Sequence, residues 1–311
     1  MYNGIYGIDK VVLKLKKNVG NLDDLLNENP VVTIDNIFNP DVFNPDDLFI
    51  KNITTKHFRL ISIDNDTRNN DYKSVYRILY ENKEWGILCW NPFNNFNPDL
   101  IVLTIDNYVS YTDDKFDVYV LLLIELDCYE NNISYIELCY DTNKNVYNLF
   151  NDYYSKVKKG IYYFRTNVKL NKPGEDNKRK RHNKILDIKS ENHFYSSGID
   201  GYGKLLKNKN ESVEIYNKTL ELNNNSEKKT FIEKYFKRNG LDLTKDVYRV
   251  ELRLTNNSYY SRKRAIDFLS LRNLKTLKDE FKYFYEMMIE FRIIGKNKYV
   301  KNMKNQPLIK L

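Results

Sequence analysis

The stretch Tyr248-Arg249-Val250-Glu251-Leu252-Arg253-Leu254 alternates strictly between apolar and polar residues. Val250, Leu252 and Leu254 point one way, and Arg249, Glu251 and Arg253 point the other. A period of two marks a strand with one buried face. The opposite face then carries a carboxylate between two guanidiniums, all rising from one rigid element. Val213-Glu214-Ile215-Tyr216-Asn217-Lys218 reads the same way upstream, with Val213 and Ile215 on one face and Glu214, Tyr216 and Lys218 on the other. So does Tyr135-Ile136-Glu137-Leu138-Cys139-Tyr140-Asp141, where Ile136, Leu138 and Tyr140 lie opposite Glu137 and Asp141. Paired in one sheet with their polar faces aligned, the three strands assemble acids, a tyrosine, a lysine and two arginines. Carboxylates can hold a divalent metal, a tyrosine hydroxyl can be a nucleophile, and lysine and arginine can hold a phosphate. The competing reading is three amphipathic strands with a solvated outer face, a common arrangement on antiparallel sheets.

A chain of 311 residues suffices for one large domain or two smaller ones. Its 41% hydrophobic content argues against disorder throughout, and its net charge of +8 points to an anionic partner, nucleic acid before membrane. Lysine abundance alone proves little, because Asn, Lys, Ile and Tyr are enriched together, as an AT-rich genome writes them. Cys89, Cys128 and Cys139 are odd in number and form no CxxC pair, which disfavours a disulfide framework and a cysteine zinc site. Each is expected to be a small buried apolar residue. The sequence shows no charged-then-apolar secretory pattern, and its longest apolar run, Val118 to Leu126, is interrupted by Glu125 and too short to span a bilayer. The expectation is a soluble protein of a reducing compartment, with no membrane partner.

Outward from the central strand, Gly7 to Leu15 reads as a first strand, and the Asn-, Asp- and Pro-rich segment Asn18 to Asn70 as irregular structure with short strands. Tyr76 to Tyr80, Trp85 to Trp90 and Leu100 to Asn107 form an expected meander. Helices are expected over Asp113 to Glu130, Asn143 to Lys159 (ended by Gly160) and Thr230 to Asn239 (stopped at Gly240). A long C-terminal helix from about Arg264 to Ile294 carries Leu274, Leu277, Phe281, Phe284, Met288 and Phe291 at alternating spacings of three and four. The fold class is α+β: an antiparallel or mixed sheet built from two similar halves, packed by helices on one face. Residues 1–168 form the N-terminal half, 169–192 a basic loop and 193–311 the C-terminal half, one catalytic domain overall.

Together these motifs resemble the plasmid and phage rolling-circle replication initiators, of the Rep_trans type and of the phage/plasmid replication protein II/X family. The likeness lies in Tyr216-Asn217-Lys218-Thr219-Leu220-Glu221, then Phe231-Ile232 with Asn239-Gly240-Leu241-Asp242, then Arg249-Val250-Glu251-Leu252-Arg253-Leu254. A Tyr-x-Lys strand ahead of an Arg-hydrophobic-Glu strand is the family's order. Ile133-Ser134-Tyr135-Ile136-Glu137-Leu138-Cys139-Tyr140-Asp141 is similar to its first-half strand, with Tyr135 where Arg is usual and Glu137 where Asp is usual. The resemblance runs from about Asn107 to Ile294 and implies a nuclease fold of the replication-initiator kind. It implies a metal-dependent nickase whose tyrosine attacks one phosphodiester of single-stranded or cruciform origin DNA. The products are a 5′-phosphotyrosine and a free 3′-OH that primes synthesis. It further implies Mg²⁺ or Mn²⁺ as cofactor, host helicase and polymerase as partners, a bacterial cytoplasmic setting and a monomer or homodimer.

On that resemblance the metal ligands are Glu137, Asp141 and Glu251, hard oxygen donors suited to such ions. Tyr195 is the first candidate nucleophile, because it stands ahead of Ser196-Ser197-Gly198, where small residues let a DNA backbone approach. Tyr216 is the second and Tyr202, between Gly201 and Gly203, the third. Lys218 would hold the scissile phosphate or assist the tyrosine. Arg249 and Arg253, with the run Lys178-Arg179-Lys180-Arg181, would bind DNA. His57, His182 and His193 are scattered and form no His-hydrophobic-His metal motif. A non-catalytic DNA-binding regulator is the alternative, separated from the nickase by metal dependence. A conjugative relaxase is a weaker one, and neither a tyrosine-recombinase arrangement nor an ATP-binding Gly-x-x-x-x-Gly-Lys loop is present.

Overall fold

The computed structural model describes residues 4–17, 52–63, 72–92, 100–165, 195–197, 203–207, 210–224, 226–293 and 304–307. Tyr202, His182, His193 and the run Lys178–Arg181 lie outside them. The fold is mixed α+β, with antiparallel strand pairs and several helices. Two compact units divide the chain. The N-terminal unit is Asp9–Ile136 with Arg264–Leu269, and the C-terminal unit is Met1–Ile8, Glu137–Lys263 and Ser270–Leu311. Among the described residues no helix is long and apolar enough to cross a membrane.

In the N-terminal unit the strands are β1 (Gly4–Lys17, from Asp9 on), β2 (Ile53–Thr54), β3 (Phe58–Ser62), β4 (Tyr72–Tyr80), β5 (Lys83–Pro92) and β6 (Leu100–Ile105). They pair in the order β2-β3-β4-β5-β6-β1. Alternation sets the register, because a slip of one residue would turn every apolar side chain to the wrong face. Val11, Leu13 and Leu15 sit opposite Ile105, Leu103 and Ile101, and all six are buried. The β4–β5 turn is the pair Glu81-Asn82, both at positive φ (49° and 63°), the backbone that suits a two-residue hairpin. Gly86 on β5 lies opposite Ile105, where an added Cβ would collide with the Thr104 backbone carbonyl, a neighbour that cannot swing aside. Two helices follow, α1 (Asn107–Ser110) and α2 (Lys115–Glu125), and α2 buries Phe116, Val118, Tyr119 and Leu122. The helix ends five residues short of the expected Glu130, because Asp127 takes a positive φ of 47° and β7 (Cys128–Thr142) starts immediately after it. His57 pairs with Glu125 through Nδ1. The three cysteines are buried and form no disulfide.

Glu130, at the N-terminal end of β7, accepts from the Tyr119 hydroxyl at 2.9 Å and from the Phe268 N–H at 2.9 and 3.1 Å. Burial nevertheless pushes its carboxyl up to about 7, outweighing those donors. The folded chain therefore holds this proton more tightly than the unfolded chain, where the group titrates near 4.5. The stabilisation is fully present below the unfolded value and is lost as pH rises through the folded one. A difference of this size corresponds to about 3 kcal/mol. Chemical-denaturation midpoints should accordingly fall between pH 5 and pH 8, and Glu130→Gln should flatten that slope. An unchanged slope in the variant would show that Glu130 ionises without cost.

The C-terminal unit takes β7 from Glu137 onward and pairs it in the order β7-β12-β11-β10-β9. Between them in sequence come α3 (Val146–Lys158), β8 (Tyr162–Arg165), β9 (Tyr195–Ser197), β10 (Gly203–Lys207), β11 (Glu211–Asn217), α4 (Lys218–Asn223), α5 (Ser226–Arg238) and β12 (Tyr248–Thr255). Short α6 (Asn256–Tyr260), α7 (Leu274–Met288), β13 (Glu290–Ile293) and β14 (Lys304–Asn305) complete the unit, with β14-β13-β8 forming a small second sheet. Gly160 and Gly240 stand after α3 and α5 at φ of 71° and 85°, the left-handed backbone that closes a helix at little cost only for glycine. Val213, Ile215, Val250, Leu252 and Leu254 are all buried, as the alternation requires.

Two expectations differ from the structure here. Helices cover parts of both faces of this sheet, not one. On β7, α7 sets Phe281 6.2 Å from the Tyr140 ring on the apolar side. On the other side α5 brings Tyr235 beside Cys139 and Asp141, and burial among these groups pushes the Tyr235 hydroxyl above its usual range. The long C-terminal helix is also shorter than its stripe suggested. Asn273 caps α7 by accepting from the Lys275 and Thr276 N–H groups, and Ile289 is already extended. Leu277, Phe281, Phe284 and Met288 are buried on α7, whereas Leu274 is exposed and Phe291 belongs to β13.

Candidate active site

Strands β7, β12 and β11 carry the polar residues, and their pairing decides which of them meet. In the β11–β12 pair Glu214 lies opposite Glu251 and Tyr216 opposite Arg249. Across β7 and β12, Asp141 meets Arg249 and Glu137 meets Arg253, stepping four residues in opposite directions as antiparallel strands do. Like charges placed directly opposite are destabilising, so Glu214 and Glu251 need a counterion. Arg253 supplies it, with Nη2 2.8 Å from Glu214 Oε2 and 2.7 Å from Glu251 Oε1, and Nε 3.5 Å from Glu137 Oε1. Nε also donates to Glu251 Oε1 at 2.9 Å.

Glu137 and Glu251 offer carboxylate oxygens within 4.8 Å of each other. At an effective dielectric of about 20, two negative charges at that separation repel by roughly 3 kcal/mol. Hard oxygen donors from two rigid strands fit Mg²⁺ or Mn²⁺, which take carboxylate and water ligands. Glu251 is the deepest, at 2% side-chain exposure, and its second oxygen accepts from the Tyr216 hydroxyl at 3.0 Å. The strand pairing thus puts a phenol in contact with a carboxylate of the acidic cluster. On the β10 side Tyr216 faces Gly203, which has no side chain to cover it.

Asp141 is placed differently from its partners in the expected ligand set. Both its oxygens take hydrogen bonds from Arg249, Nε at 2.7 Å and Nη2 at 2.9 Å, in a pair that is 0% and 1% exposed. Arg249 was expected to bind DNA, but its side chain is closed inside the protein on Asp141, with Nη1 3.8 Å from Glu251. The alternation from Val213 places Lys218 at the end of a strand. It is the first residue of α4 instead, because the Asn217 side chain caps that helix by accepting from the Leu220 N–H. Its buried ammonium sits 2.7 Å from Glu221 and 5.7 Å from the centre of the Tyr216 ring. Tyr195 lies on β9 in register with Leu205, which is in register with Glu214, which faces Glu251. That row places the Tyr195 backbone three strand spacings from Glu251, about 14 Å.

Sequence reading did not single out Glu214, whose role depends on a register that only the folded sheet defines. It also passed over Asp9, a buried acid of the N-terminal unit that accepts from the Tyr111 hydroxyl. At the rim of the C-terminal unit, Asn143 binds the Asp242–Asp246 turn through three hydrogen bonds of 2.9 to 3.2 Å. Asp242, held by the Thr244 hydroxyl and the Lys245 ammonium, is lowered to about 2. This turn precedes β12 and fixes where Arg249 enters the sheet.

The fold and site together describe an α+β protein with an antiparallel sheet that carries a carboxylate cluster and a tyrosine. Among solved structures, the chain is similar to a rolling circle replication initiator protein from Geobacillus stearothermophilus, over 98% of this chain and 94% of that one, with 10% sequence identity and a TM-score of 0.49. No family model matches the chain, and no curated protein matches it.

Proposed function

We propose that the chain is a rolling-circle DNA replication initiator that nicks and rejoins one strand of single-stranded or cruciform origin DNA through a 5′-phosphotyrosine. The observation that carries this reading is the hydrogen bond from the Tyr216 hydroxyl to Glu251, inside a cluster that also holds Glu137 and Glu214. The family resemblance of the three strands supports it from the sequence side. Tyr216 is favoured over Tyr195 as nucleophile, since its hydroxyl bonds to Glu251 and the backbone of Tyr195 is about 14 Å from that residue.

Glu251 Oε2 accepts the phenol proton as the Tyr216 oxygen attacks phosphorus. The bond from phosphorus to the 3′ oxygen breaks, the 3′ oxygen takes a proton from solvent, and the 5′ phosphate stays on the tyrosine. Rejoining runs the same path backwards with a 3′-OH as nucleophile, and the free 3′-OH is what a host polymerase extends. Glu137 and Glu251 would hold Mg²⁺ or Mn²⁺, which when bound polarises the phosphate. The Lys218 charge over the Tyr216 ring favours the developing phenolate. Arg249 and Asp141 hold β12 against β7, so Glu251 keeps its position. Lys178, Arg179, Lys180 and Arg181 contact backbone phosphates without reading sequence.

Incubation with single-stranded origin DNA should yield a covalent protein–DNA adduct on a denaturing gel with Mg²⁺ or Mn²⁺, and none with a chelator. DNA binding without adduct under any ion would favour a non-catalytic DNA-binding regulator.

A further inference from the structure

Arg253 contacts all three acids of the cluster, from three different strands, at 3.5 Å (Glu137), 2.8 Å (Glu214) and 2.7 Å (Glu251). Its side chain is 36% exposed, whereas those of the acids are 14%, 11% and 2% exposed. The guanidinium therefore sits on the solvent side of the cluster. One guanidinium against three carboxylates leaves these four side chains net negative, and a divalent cation in the guanidinium's place would offset more of that charge.

Resting on the metal-dependent reading above, we infer that Arg253 is a counterion switch. It offsets part of the charge of the acid cluster when no cation is bound, and it is released to grip the DNA phosphate when a divalent cation takes its place. Glu251 Oε1 accepts from Nε of Arg253 and lies 2.7 Å from its Nη2, so a cation on that oxygen would stand against a guanidinium at contact distance. Two cations at such a separation repel, and the one on a flexible, partly exposed side chain is the one that moves. Arg249 has no such freedom, being enclosed on Asp141. Once turned outward, the Arg253 guanidinium needs an anion. The phosphate that Tyr216 attacks must come to the same place, because the Tyr216 hydroxyl bonds to the same Glu251. A planar, two-pronged donor matches a phosphate as well as a carboxylate. The cation and the DNA then each strengthen the other's binding by the same factor, as linkage requires. A residue that merely clips three strands together would add nothing to that coupling.

The test is a Mn²⁺ titration of the full chain, following free ion by electron paramagnetic resonance, with and without a single-stranded oligonucleotide. Wild type, Arg253→Gln, Arg253→Lys and Glu251→Gln are compared. Without DNA, Arg253→Gln should bind Mn²⁺ about tenfold more tightly than wild type, because its internal competitor is gone. DNA should tighten Mn²⁺ binding about tenfold more in wild type than in Arg253→Gln, which keeps only the coupling that comes from the ion's own contact with the phosphate. Arg253→Lys keeps the charge but loses the two-pronged grip, so about threefold tighter binding is expected. That variant keeps the question open to measurement should Arg253→Gln not fold. Equal or weaker Mn²⁺ binding by the Arg253 variants, with Glu251→Gln unable to bind, would overturn the switch and leave the metal site standing. A wild type that takes up no Mn²⁺ would overturn both.

Discussion

Tyr216→Phe is expected to bind single-stranded origin DNA within about threefold of wild type, yet to form no covalent adduct. Phenylalanine keeps the ring beneath the Lys218 ammonium and removes only the oxygen that donates to Glu251. Nothing in DNA affinity depends on that oxygen, whereas the bond to phosphorus cannot form without it. Loss of a nucleophile lowers turnover by at least about three orders of magnitude, beyond what any rearrangement of bound DNA would produce. The comparison variant is Tyr195→Phe, which should form adduct at the wild-type rate. Adduct retained in Tyr216→Phe and lost in Tyr195→Phe would move the nucleophile to β9 and require β9 to approach the acids in the DNA complex.

The second large effect is on stability. Arg249→Met should destabilise the fold by about 3–5 kcal/mol, because it strands the Asp141 carboxylate in the interior without its partner. The pair is 0% and 1% exposed, so water cannot take over the lost hydrogen bonds. Adding Asp141→Leu should recover most of the loss, since replacing a buried ion pair by apolar residues of similar volume is often neutral. Denaturant midpoints of the two variants decide the matter. A single variant as stable as wild type would mean that Asp141 is solvated or protonated in the fold. If the single and double variants are equally destabilised, the loss comes from packing around β12, not from a stranded charge.

The strands that carry the site were legible because their alternation is local. Val250, Leu252 and Leu254 announce a strand whatever surrounds them, and Ile136 and Val213 do the same on the neighbouring strands. What lies above the polar face is not local. The charged positions of β12 look alike in sequence, yet Arg249 is enclosed near α5 while Arg253 opens to solvent. Only long-range packing separates an enclosed arginine from a partly exposed one. The pairing of Glu214 with Glu251 rests on a register set by the whole of β11 and β12, and no motif in either strand records it. Lys218 was misplaced for a different reason. Asn217 is a good helix cap, but the alternation of Val213, Ile215 and Asn217 runs through it and hides the boundary. The same competition lengthened the last helix on paper, where the spacing of Phe284, Met288 and Phe291 continues past the point at which Ile289 turns extended. Tyr195 ranked first on its small neighbours, and its distance from the acids depends on β10 lying between β9 and β11.

The claim on which the account stands is that Tyr216 becomes bonded to DNA. The direct measurement is to form the adduct with wild-type chain, single-stranded origin DNA and Mn²⁺, digest both components, and identify by mass spectrometry the peptide that carries a nucleotide phosphate. The account predicts one modified peptide, with the phosphate on Tyr216. A phosphate on Tyr195, on Tyr202 or on any residue outside β11, or an adduct formed equally well in the presence of chelator, would contradict it.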